Sequence, residues 1–156
     1  MDEGEIEIRR GGPEDAIDVA RLLDDFNAEF GDPTPGVEVL TENARRMLEV
    51  DEMTVLLGGG GPDGIALLRF RTSVWTGRPE AHLQELYVAP RLRGRGIGRA
   101  LLEAALATAR EAGATFIDLG TAETDTAARA LYESLGFTNR EREPNGPRML
   151  FYEREI

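Results

Sequence analysis

Four arginines, Arg91, Arg93, Arg95 and Arg99, stand between Glu85 and Glu103 with no acidic residue among them, in a chain whose formal net charge is −11. Gly94, Gly96 and Gly98 alternate with them in L-Y-V-A-P-R-L-R-G-R-G-I-G-R-A-L-L. A strand-like run leads in, and an apolar-periodic helix starts at the last glycine. These residues suit the holding of a phosphate-bearing group. Glycines let the backbone approach closely, and the unpaired amides at a helix start point at the anion. The stretch is not a Walker loop, because no Lys-Ser/Thr follows. Nor is it the dinucleotide fingerprint G-x-G-x-x-G, whose third glycine is missing at its required spacing.

The elements around this loop follow from periodicity. Glu5–Arg9 alternates and predicts a first strand. Pro13 opens a helix carrying Val19, Leu23, Phe26 and Phe30 on one face, and G-D-P-T-P-G at 31–36 breaks it. Thr41 is the expected N-cap of a short helix through Glu49. Met53–Leu57 and Ile65–Ser73 predict a hairpin around the Gly-rich turn 58–64, and Ala81–Val88 a further strand. Gly98–Ala112 predicts a helix with Leu101, Leu102, Ala105, Leu106 and Ala109 at helical spacing, ended by Gly113. Phe116–Leu119 follows as a strand. Thr126–Ser134 follows as a helix ended by Gly136, and Thr138–Arg142 and Arg148–Glu153 as two last strands. This order predicts an α/β fold with a mixed sheet and helices on both faces.

Length and composition bound the function. The 156 residues are read as one domain, 1–156, long enough to bury a core, and 41% hydrophobic residues exclude disorder. Without cysteine there is no disulfide and no thiol nucleophile, and with one histidine no metal site is expected. No apolar run spans a bilayer, no signal peptide opens the chain, and a cytoplasmic location is expected. The acidity argues against nucleic acid. It favours a cationic small substrate by long-range attraction, or serves only solubility.

Arg93–Gly98 also matches R-x-x-G-x-G. With L-Y-V-A-P before it and L-Y-E-S-L-G-F after it, the stretch from about Ala81 to Phe137 resembles the GCN5-related N-acetyltransferase (GNAT) family. The resemblance implies a mostly antiparallel sheet of six to seven strands with a splayed central parallel pair, and acetyl-coenzyme A as cosubstrate. Its pyrophosphate would lie on the amides of Arg93, Gly94, Arg95, Gly96, Ile97, Gly98 and Arg99. Arg91, Arg93 or Arg95 could meet the 3′-phosphate. The pantetheine would pair with the backbone at Leu86, Tyr87 and Val88 as an added strand, beside a bulge.

The same resemblance makes Tyr132 the acid that protonates the leaving thiolate, while its place on the helix's apolar face also suits packing. Asp125 stands where the family often carries an Asn that contacts the pantetheine; it also fits a helix N-cap in D-T-A-A. Glu85 lies where several small-molecule acetyltransferases carry an acidic residue, and could accept the amine's proton. It could equally be a strand carboxylate paired with an arginine. Strand alternation puts His82 and Glu85 on opposite faces unless a bulge intervenes, so His82 is either a second candidate base or a plain surface histidine. Glu29 and Asp32 fall in the implied acceptor loop or in a solvated one.

Direct acetyl transfer to an amine is therefore expected. The alternatives are a protein or peptide N-acetyltransferase and a non-catalytic coenzyme A-binding module. The apolar run Met149–Tyr152 predicts a homodimer through an exposed edge.

Overall fold

In the computed structural model, which describes residues 4–156, the chain falls into two compact units; the first ends at Leu119 and the second spans Gly120–Ile156. The first unit is built on a five-stranded sheet in the order β1-β2-β3-β4-β5. The strands are β1 (Ile8–Arg10), β2 (Thr54–Gly58), β3 (Gly64–Thr72), β4 (Pro79–Val88) and β5 (Ile117–Leu119). The first four pair antiparallel with their neighbours, and β4 pairs with β5 in parallel. Five strands replace the six to seven expected, because the two C-terminal strands do not form among the described residues. Only one antiparallel bridge, Arg140 with Arg148, stands in their place. That bridge is made by Glu141 N–H on the Pro147 carbonyl at 2.9 Å and Met149 N–H on the Asn139 carbonyl at 2.7 Å, and Pro147, which has no N–H, cannot return a bond to Glu141 and carry the ladder further.

Helices lie on both faces, as the element order requires. On one face pack α1 (Ala16–Phe30) and α2 (Val37–Glu49), whose Ala16, Val19, Leu22, Ala44 and Leu48 share a buried cluster with Val55, Leu57, Ile65, Leu67 and Tyr87. On the other face packs α3 (Ile97–Glu111), through Leu101, Leu102, Ala105 and Ala109. The helix sits tight against the hairpin end: a Cβ on Gly58 or Gly64 would meet the side chains of Ile97 and Leu101 at 2.9–3.4 Å. Glycine is therefore required at both places by the packing of α3.

Several boundaries shift for local reasons. The first strand begins at Ile8 rather than Glu5, and a 3-10 turn at Pro13–Asp15 precedes α1. Thr41 is no N-cap: α2 already begins at Val37 after Gly36, and the Thr41 hydroxyl donates back to the Val37 carbonyl at 2.6 Å. The Thr34 hydroxyl donates to Asp24 at 2.6 Å and accepts from Gly36 N–H at 3.2 Å, which holds the turn between α1 and α2 closed. The hairpin β2–β3 stands as expected, while β5 is one residue shorter than expected at its start and α3 begins one residue earlier.

The second unit holds α4 (Thr126–Ser134), which begins and ends where the sequence predicts. Among the described residues, no helix is long and apolar enough to cross a membrane.

Candidate active site

The phosphate-type loop is formed by the conformations its glycines allow. A 3-10 turn at Pro90–Leu92 leaves β4; Gly94 (φ 76°) and Gly96 (φ 86°) then take left-handed backbone, and α3 starts at Ile97. L side chains rarely adopt that region, so both positions need glycine. The amides of residues 94–98 make no hydrogen bond among the described residues, and no acidic residue lies in the first turn of α3. A row of N–H groups without partners among the described residues, at the positive end of a fifteen-residue helix, has the donors and the dipole that favour an anion.

The loop arginines are used unequally. Arg91 pairs with Asp63 at 3.2 Å, and Ala89 N–H reaches the Asp63 carbonyl at 2.8 Å, fastening the loop to the β2–β3 turn. Arg93 pairs with Glu29 of α1 at 2.7 Å, donates to the Val88 carbonyl at 3.0 Å, and lies 5.6 Å from the Tyr87 ring centroid. Arg99 pairs with Glu103 at 3.4 Å. Exposed Arg95 forms no ion pair among the described residues. Glu29, expected in an acceptor loop or a solvated one, instead clamps the loop and stands 3.4 Å from the Tyr87 hydroxyl. Burial and the nearby Glu29 and Asp25 push the Tyr87 phenol up from its ordinary value.

Next to the loop, β4 has an open edge. Its register against β3 runs Leu67 with Glu85 and then Leu68 with Leu83, so Gln84 is the extra residue of a bulge. Parallel pairing with β5 covers only Ala81–Leu83. From Gln84 to Val88, β4 has no strand on that side among the described residues, which is the splay the resemblance implies. A Cβ on Gly64 would stand 3.1 Å from the Tyr87 carbonyl oxygen, which places that carbonyl toward β3. By alternation, the polar groups of Leu86 and Val88 face the open side. Of the three residues expected to pair with a ligand, these two turn backbone groups to the open side, where the Val88 carbonyl already accepts from Arg93 at 3.0 Å.

The bulge also decides where the candidate bases point. His82 lies opposite Arg69, and Glu85 opposite Leu67, two positions along one face of β3. His82 and Glu85 therefore share a face, the one that carries Tyr87. Glu85 is half-buried; burial pushes its carboxyl above the usual carboxylate range, and His82 opposes this in part. The same face carries a network the sequence did not single out. His82 Nδ1 lies 2.6 Å from Asp118 of β5, Arg71 bonds to Asp118 at 3.0 Å, and Arg71 also bonds to Glu80 at 3.0 Å. Glu85 itself forms no ion pair with an arginine among the described residues. The sequence signal for Asp118 was slight: one acid at the centre of a short apolar strand, I-D-L.

In the second unit, Asp125 caps α4, its carboxylate accepting from Ala128 N–H at 3.2 Å. Tyr132 is half-buried and packs against Phe137, with ring centroids 5.9 Å apart.

Comparison with known proteins bears on the family and the fold. The sequence profile of the Acetyltransferase (GNAT) family matches residues 20–137. An aminoglycoside N(6')-acetyltransferase type 1 of Stenotrophomonas maltophilia is 33% identical over 141 residues, covering 86% of this chain and 88% of that one. A mycothiol acetyltransferase of Beutenbergia cavernae is 42% identical over 69 residues, but these are only 23% of its length. A crystal structure of an Arthrobacter sp. FB24 protein assigned as an acetyltransferase superposes with a TM-score of 0.88 at 45% identity, covering 96% of each chain.

Proposed function

This chain belongs to the acetyltransferase (GNAT) family, and we propose that it moves an acetyl group from acetyl-coenzyme A to a primary amine of a cationic small molecule. The observation that carries the reading is the juxtaposition of the amides of residues 94–98, which make no hydrogen bond among the described residues, with the open β4 edge at Leu86 and Val88. The first fits a pyrophosphate, the second an amide-bearing arm that pairs as a strand would. Arg95, and Arg93 or Arg99 once released from their carboxylates, would supply the phosphates' counter-charge. When bound, the cosubstrate supplies an acyl group activated as a thioester.

The chain's own groups have separable tasks. A lysine-like amine is protonated at neutral pH, with an unperturbed pKa of about 10.4. Glu85, half-buried and with its carboxyl raised, would take that proton. The Val88 amide on the open edge would donate to a carbonyl oxygen where negative charge develops. Tyr132 would give a proton to the departing sulfur. No covalent enzyme intermediate is needed, which suits a chain without cysteine.

Two observations support a cationic acceptor. The face beside the open edge carries Glu85, a carboxylate with no arginine partner among the described residues, while Glu80 and Asp118 are paired with Arg71, and the chain's net charge is −11. The Stenotrophomonas maltophilia relative is named for an aminoglycoside, a polycationic amine. The test is release of coenzyme A thiol across a panel of sisomicin, spermidine, lysine and a peptide amine. Turnover of a polyamine or aminoglycoside is expected; turnover of the peptide alone would overturn the acceptor class. The exposed run Met149, Leu150, Phe151 and Tyr152 supports a homodimer, which a monomer mass in light scattering at micromolar concentration would refute.

A further inference from the structure

On the sheet face that carries Glu85, His82 is oriented by a charged partner that none of the roles above requires. We infer that His82 is a second proton-accepting group of this site, relaying the proton from Glu85 to solvent, and that Asp118 is its positioning residue. The inference rests on the acetyltransferase reading and names who removes the proton once Glu85 holds it.

Geometry carries the argument. Asp118 lies opposite His82 in the parallel β4–β5 ladder, and its carboxylate is 2.6 Å from Nδ1. An ionised carboxylate only accepts, so Nδ1 carries the hydrogen and the Nε2 lone pair of the neutral ring is left available. Nε2 has no partner among the described residues, and about a third of the side chain is exposed to solvent. Asp118 is held in turn: Arg71 bonds to its other oxygen at 3.0 Å and is itself fixed by Glu80 at 3.0 Å. A histidine aimed by a carboxylate that is aimed by an arginine is preorganised.

The bulge at Gln84 supplies the second half. Without it Glu85 and His82 would point to opposite faces; with it they stand two register positions apart on one face. Such positions are roughly 7 Å apart, a span that two side chains and one water bridge.

The proton count closes. The acceptor ammonium gives one proton to the Glu85 carboxylate and becomes a free amine. The resulting carboxyl passes that proton through water to Nε2, which restores the carboxylate and leaves an imidazolium. Nε2 then gives it to bulk water or buffer. The half-buried carboxyl is thereby reset for the next turnover.

Two measurements test this, and the first does not need activity. His82 is the chain's one histidine, so nitrogen-15 spectra of untagged protein report it without ambiguity. The neutral ring should show its hydrogen on Nδ1 in the wild type and lose that preference in Asp118→Asn. An Nε2-hydrogen tautomer in the wild type would overturn the inference. The second measurement follows coenzyme A release with the best amine of the panel above. His82→Ala should lower kcat by ~10–100-fold, less than the ~10²–10⁴ of a lost primary base, with acetyl-coenzyme A affinity unchanged. Added imidazole should restore the rate in His82→Ala and leave the wild type unaffected. Asp118→Asn should slow the wild type and add nothing in the His82→Ala background. His82→Gln repeats the test should the alanine variant fold poorly. A full-rate variant, a loss that imidazole does not rescue, or additive Asp118 and His82 losses would each overturn it. Wild-type protein that binds no acetyl-coenzyme A would instead overturn the acetyltransferase reading on which the relay rests.

Discussion

Replacing Arg95 with alanine should weaken acetyl-coenzyme A binding more than replacing Arg93, although both flank the same glycine. The difference follows from what each guanidinium already does. Arg95 is exposed and has no ion pair to surrender among the described residues. Its contact with a phosphate would count in full: a charge-assisted hydrogen bond contributes ~1.5–3 kcal/mol. At about 1.4 kcal/mol per decade, that is roughly a ten- to hundredfold rise in Kd. Arg93 must first leave Glu29 at 2.7 Å and the Val88 carbonyl at 3.0 Å. A half-exposed ion pair contributes ~0.2–1 kcal/mol, and a neutral hydrogen bond ~0.5–1.5 kcal/mol. Those losses offset about half or more of what a phosphate would return, so Arg93→Ala should cost less than about fivefold. Calorimetric titration with acetyl-coenzyme A at low and high salt measures both values. The Arg95 effect should shrink at high salt, because exposed charges are screened. An Arg95→Ala protein that binds within about twofold of the wild type, or an Arg93→Ala protein that loses more than Arg95→Ala, would refute the reasoning.

Glu85→Gln should lower kcat and remove a rising limb of kcat/KM with pH. The ionised carboxylate is the active form, so activity should be lost as pH falls through its raised pKa, and a limb that survives and moves with the acceptor's own pKa would assign the ionisation to the amine. Tyr132→Phe should reduce kcat by ~10²–10⁴-fold with acetyl-coenzyme A affinity little changed; a full-rate variant would leave Tyr132 a packing residue against Phe137. Away from the site, Asp15 accepts two bonds from Arg9 at 2.8 and 3.0 Å and one from Gly12 N–H at 2.9 Å, and the Arg9 guanidinium holds its carboxyl below the usual range. Asp15→Asn should cost ~1–3 kcal/mol in urea unfolding at neutral pH, discounted for the half-exposed Arg9. The stabilisation is present above the ordinary carboxylate range and lost as pH falls through the depressed pKa, so variant and wild type should converge in acid; a gap that persists there would assign the loss to packing.

Much of the site is written in short-range signals. Gly94 and Gly96 mark left-handed backbone, the run of arginines marks the anion, and D-T-A-A marks the cap of α4, so this loop and that helix could be read directly. What escaped reading depends on partners distant in the chain. The bulge at Gln84 leaves no mark in A-H-L-Q-E-L-Y-V, because its register is set by Leu67 and Leu68 of another strand. Alternation counted without it sends His82 and Glu85 to opposite faces. Asp118 acquires its meaning only through the parallel pairing of β5 with β4. Glu29 gains its role only when the end of α1 meets the loop. At the C-terminal end the opposite happened: M-L-F-Y has strand-like composition, but 139–149 closes into a turn with a single bridge, and the apolar run stays exposed. Strand composition forms a strand only where a partner edge is available.

Hydrogen–deuterium exchange, with and without acetyl-coenzyme A, tests the central claim most directly, because that claim concerns particular backbone amides. The amides of residues 94–98 make no hydrogen bond among the described residues, and those of Leu86 and Val88 face the open side of β4. Addition of acetyl-coenzyme A should slow exchange at these two segments, with β1 and β2 unchanged. Protection confined to other parts of the chain, or none at saturating acetyl-coenzyme A, would contradict it.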